Sequence, residues 1–214
     1  MSHLIPATLY RVAAVAGGGS AAILLINAAK RAEVISTSAF TQLVAPLAQI
    51  LALALVTALY LAFGRRAGIV GLVAYLLNAF AIAALVGVEF VINLVLADLP
   101  DRTVEALREG TLGVALTVAS IVFLVGTLGY VAAMVRSGEV PTVPLVLYAV
   151  GAVPVSLRAV VPEAALDLGL VMMAVGIGWL SIWLFRRSGR ITTWTTTRTP
   201  LADRSARAVG AATS

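Results

Sequence analysis

Residues 47–68 read LAQILALALVTALYLAFGRRAG. From Leu47 to Gly64 no residue is charged, and a run of about 18 such residues crosses the hydrocarbon core of a bilayer as a helix. The run ends in Arg65-Arg66 and then Gly68. A cation answers the negative end of the helix dipole, and a glycine just beyond releases the chain into a turn. Arginine at this place also marks the cytoplasmic side of a membrane. The same exit recurs as Arg136-Ser137-Gly138 and Arg187-Ser188-Gly189, each after a long apolar stretch.

Composition carries the same message. The chain is 61% hydrophobic and 12% charged, with a mean hydropathy of +1.03. Soluble domains average about 45–50% apolar and about 25% charged residues. An all-α, polytopic membrane protein is the class that fits. There is no cysteine, which excludes disulfides, thiol nucleophiles, iron–sulfur clusters and Cys zinc sites. The one histidine, His3, excludes a haem held by two histidines of one chain and any His-based triad inside the membrane. The opening Met1–Pro6 lacks a basic region, so the apolar run after it reads as a retained first helix, not a cleaved signal.

Six spans are expected, in one bundle, at about 8–28, 40–63, 68–96, 112–135, 141–161 and 166–186. With both termini inside, Arg11, Arg65, Arg66, Arg136 and the six arginines from Arg186 onward are cytoplasmic, while Lys30, Arg31, Arg102, Arg108 and Arg158 are outside. The positive-inside rule favours that orientation, and an even number of spans satisfies it. The reading is a transmembrane domain over 1–190 and a basic, mostly disordered cytoplasmic tail over 191–214, with disorder from Pro200. The tail suits anionic lipids, with Trp194 among the headgroups, and nothing in it supplies a folded nucleic-acid reader. The connection from Ala97 to Gly110 reads as a short interfacial helix, capped by Asp98, with Pro100 early and Gly110 as its stop.

The first span offers two small-residue faces, Ala13/Gly17/Ala21 and Ala14/Gly18/Ala22, which let helix backbones approach closely. A shift of 70 residues aligns Thr57, Tyr60, Ala62, Arg66, Gly68, Val70 and Val73 with Thr127, Tyr130, Ala132, Arg136, Gly138, Val140 and Val143, the pattern of a parallel internal repeat. Trp179 and Trp183 share a face of the last span as an aromatic belt. Pro144 and Pro154 imply a bent fifth span.

One acidic residue interrupts the third apolar run. Glu89 shares a helical face with Asn78, Ile82, Leu85 and Asn93, which makes Glu89, Asn78 and Asn93 the candidate intramembrane polar site. An ionisable residue there is a proton carrier or cation ligand by default. Depth supplies a plainer reading. A helix starting at Gly68 places Glu89 about 31 Å along, near the outer headgroups, with Asn93, Lys30, Arg31 or Arg158 as partners. Arg158 would snorkel outward.

The second half resembles a family of small six-span integral membrane proteins of unknown function common in high-GC bacteria. The residues that carry the resemblance are Gly126-Thr127-Leu128-Gly129, Arg136-Ser137-Gly138-Glu139-Val140-Pro141, Pro162 and Gly176-Ile177-Gly178-Trp179-Leu180. The family usually has Arg or Trp where this chain has Thr142-Val143. The resemblance implies the six-helix fold and the bacterial cytoplasmic membrane, and it implies no activity.

Three function classes can be weighed. A non-enzymatic accessory, structural or regulatory component, with a membrane-protein partner or as a homo-oligomer, fits the compact loops and small-residue faces. A small transporter or proton-coupled carrier would work through Glu89 with Asn78 and Asn93. An enzyme is disfavoured. Its one paired-carboxylate candidate, Asp98 with Asp101, reads as a cap and a first-turn acid. Gly18-Gly19-Ser20-Ala21 lacks the glycine and the histidine of a rhomboid-type protease, and no cofactor or metal is implied.

Overall fold

The structure is a computed structural model and describes residues 7–196. His3 and the expected disorder from Pro200 lie outside the described residues. Within them the chain is helical: α1 (Ala7–Arg31), α2 (Ala39–Val44), α3 (Leu47–Phe63), α4 (Gly68–Phe90), α5 (Asp101–Glu109), α6 (Thr111–Ser137), α7 (Thr142–Ser156) and α8 (Glu163–Thr196). Five stretches are long and apolar enough to cross a membrane: Ala7–Arg31, Ala39–Phe63, Gly68–Asp98, Thr111–Ser137 and Glu163–Gly189. The sixth apolar helix, α7, has 15 residues and falls short of that length.

Short connections make consecutive long helices antiparallel neighbours. They form a ring, α1–α3–α4–α6–α7–α8, closed where α8 packs along α1. The middle of the ring is filled by Leu59, Phe123, Tyr130, Met134 and Leu145. Tyr130 reaches across it, its hydroxyl donating to the Val56 carbonyl at 3.0 Å. Three seams depend on small residues. At α1, a Cβ on Gly17 would collide with Ser181 of α8 and with Leu55 of α3. At α6, Gly126 lies against the Asn78 backbone, and at α8, Gly176 lies against the Pro144 carbonyl and the Tyr148 amide. Of the two small faces expected on the first span, Ala13/Gly17/Ala21 is the packed one, whereas Gly18 and Ala22 are not buried.

Several expectations are corrected. The second span keeps its expected extent, Ala39–Phe63, but is interrupted at Pro46 into α2 and α3, and a Ser38–Thr41 capping box starts α2. The fifth helix ends at Ser156, two residues after Pro154, instead of running to 161. Asp98 is not a cap. It ends a 3-10 turn, and Pro100 holds the N-cap of α5 with no side-chain bond. The third exit is no exit. Helix α8 runs through Arg187-Ser188-Gly189 to Thr196, the Ser188 hydroxyl bonding the Phe185 carbonyl and Ile191 packing back on the core. Gly189 therefore stays helical, while Gly68 and Gly138 sit at φ +62° and +68°, where a side chain would be strained. Gly68 and Gly138, 70 residues apart, thus share one backbone conformation.

Candidate functional site

Among the described residues the charged side chains gather at the two ends of the ring, with uncharged polar groups such as Ser20, Ser181 and the Asn78–Thr127 pair between them. At the end where α3 hands over to α4 and α6 to α7, two of the three exit arginines converge on one carboxylate. Arg66 pairs with Glu139, and Arg187 bonds the Glu139 carbonyl at 3.3 Å and lies 3.8 Å from its carboxylate. Arg187 also stacks over Trp183, which packs on Phe63, so Trp183 is a joint of the bundle while Trp179 faces outward. Arg11 donates to Ser188 at 3.2 Å. Glu139 was not singled out by its sequence context beyond lying in the extended second exit.

At the opposite end a cavity of about 100 Å³ opens between α1, α4 and α8. Glu89 and Asn93 line it from α4, Asn27, Lys30 and Arg31 from α1, Gln49 from α3, and Arg158 from the turn after α7. Helix α4 reaches the cavity through one π-helical turn, Val91–Val95, a local widening that often accompanies a function. The widened turn brings the Asn93 amide back onto Glu89. Its Nδ2 donates to the carboxylate at 2.9 Å and to the carbonyl of the same residue at 3.0 Å. Lys30 donates to Asn93 Oδ1 at 3.0 Å. Asn93 is thereby fixed between a cation and a carboxylate.

Arg31 is occupied elsewhere. It pairs with Glu163 at the rim and lies 3.3 Å from Asp167, one helical turn further along α8. Arg158 turns inward to within electrostatic reach of Glu89 instead of snorkelling out. The side-chain oxygen of Asn27 is buried without a donor.

Asn78 does not belong to this site. Fully buried about three turns away along α4, it accepts from Thr127 at 3.0 Å, and the Tyr148 phenol lies against the same pair. The face drawn from the sequence is real, but Ile82 and Leu85 divide it with a buried apolar layer. The predicted trio splits into a Glu89–Asn93 pair in the cavity and an Asn78–Thr127 pair in the core. Sequence reading missed Glu163 and Asp167. Their spacing of four, at the start of the last span, places both on one helical face and was the available signal. Among the described residues no group of three His, Asp or Glu side chains could hold a metal ion.

Compared with protein-family models, curated proteins and solved structures, the chain matches none.

Proposed function

We propose that this is a non-enzymatic integral membrane protein serving as an accessory or structural component of a membrane assembly. In this reading all six apolar helices cross the bilayer, both termini are cytoplasmic, and the chain belongs with the small six-span proteins it resembles. The observation that carries the proposal is the apolar plug of the ring. From Phe123 on the cavity wall, the interior toward the other end buries Tyr130, Leu59, Leu145 and Met134, with the Asn78–Thr127 pair enclosed among them. A polar chamber at one end above a buried apolar interior suits holding something in place better than passing it through. The test is purification in mild detergent. A copurifying membrane protein or a defined homo-oligomer is expected, and a strictly monomeric chain that never retains a partner overturns the proposal.

The cavity beneath Glu89 favours one alternative, a small carrier that uses this carboxylate. Flux measured in proteoliposomes, abolished by Glu89→Gln, would establish that alternative. Absence of flux across a broad panel of ions would leave the accessory role standing.

A further inference from the structure

The walls of the outer cavity carry three cations, Lys30, Arg31 and Arg158, and one carboxylate, Glu89. Arg31 is matched by Glu163 and Asp167. Lys30 and Arg158 therefore share Glu89 between them. Glu89 is engaged by Asn93, and so is Lys30. Arg158 makes no hydrogen bond or ion pair of its own among the described residues, although it is only partly exposed and its planar fork carries five donors. A half-buried guanidinium with unfilled donors is the group that best recognises an oxyanion, often in two-point fashion. Beside it, the Asn27 amide can turn to offer its NH₂.

From this geometry we infer that the cavity binds a single oxyanionic group, a phosphate or carboxylate, held by Arg158 and Lys30 with Asn93 as the fixed hinge between Lys30 and Glu89. A cation would meet Lys30 and Arg158 with only Glu89 to offset them. The volume of about 100 Å³ admits one such group and a short apolar neck against Ile92, Val155 and Leu166, not a whole lipid. The site lies about 31 Å along α4 from Gly68, the depth of the opposite headgroups, so the group can come from a phospholipid or from solution. The inference goes beyond the accessory role and stands whether or not anything is transported.

The test titrates the full-length protein with two probes while its thermal unfolding midpoint is followed. One probe is inorganic phosphate, added to protein in nanodiscs of phosphatidylcholine. The other is phosphatidylglycerol, mixed into the same nanodiscs. Saturable stabilisation by phosphate identifies a soluble oxyanion, and stabilisation by phosphatidylglycerol alone identifies a lipid headgroup. Either result supports the site if Arg158→Gln weakens apparent affinity at least tenfold and Glu89→Gln, which removes the opposing charge, tightens it several-fold. No stabilisation by either probe overturns the inference. So does undiminished binding in Arg158→Gln, which would place the anion at the arginines of the other end. If Arg158→Gln does not fold, Lys30→Gln and Glu89→Gln decide, since they must move the affinity in opposite directions. A shift in the same direction, or none, overturns the site.

Discussion

Glu139 gathers Arg66 and Arg187 at the arginine-rich end of the ring, so arginines that read as boundary markers also tie two connections to helix α8. All three side chains are partly exposed, and such pairs contribute about 1 kcal/mol or less. Glu139→Gln is expected to lower unfolding stability by about 1 kcal/mol and to make what remains less sensitive to salt, as measured by denaturation in mixed micelles. The buried pair is a different case. Thr127 is the donor to Asn78 in a place water does not reach, so Thr127→Val is expected to cost about 1–2 kcal/mol. Thr117, exposed and bonded to the Gly113 carbonyl of its own helix, supplies the control. Thr117→Val should leave stability unchanged. Asn78 and Thr127 could not be joined from sequence, because their contact spans two helices and depends on Gly126 letting the backbones meet.

The helices themselves were largely legible, since apolar length fixes them and charge ends them. Their limits were less so where tertiary contacts override local signals. Ile191 carries α8 past a glycine that stops α6 in a nearly identical setting, and Pro154 shortens α7. Which small-residue face of α1 is used was also open, since Ala13/Gly17/Ala21 and Ala14/Gly18/Ala22 are equivalent as patterns. The structure separates them sharply. Gly17→Ala forces a methyl group into Ser181 and Leu55 and is expected to cost about 1–3 kcal/mol. Gly18→Ala meets nothing within 4 Å and should be neutral or stabilising by about 1 kcal/mol through helix propensity. Thermal unfolding of the two variants side by side checks both expectations.

At the scale of the molecule, the charge distribution that favours the proposed orientation divides the ring into an arginine-rich end and a cavity end, and the absence of cysteine makes this directly testable. In intact cells, a membrane-impermeant thiol reagent is expected to label Glu105→Cys but not Ser137→Cys. The reverse pattern would invert the proposed topology. The brevity of α7 has one more consequence. Its 15 residues extend about 22 Å, some 8 Å less than a typical hydrocarbon core, and the turn bearing Arg158 occupies the difference. In the proposed six-span arrangement water would reach below the level of the surrounding lipid at that point, so a water-soluble thiol reagent should modify Leu157→Cys while sparing the similarly exposed Val146→Cys. With α7 crossing the bilayer as proposed, the insulating layer would be thinner there and the transmembrane voltage would fall across a correspondingly shorter path. Moving a full charge through the whole voltage is worth about 2.3 kcal/mol per 100 mV, and an anion seated at the foot of this funnel has already crossed part of that drop.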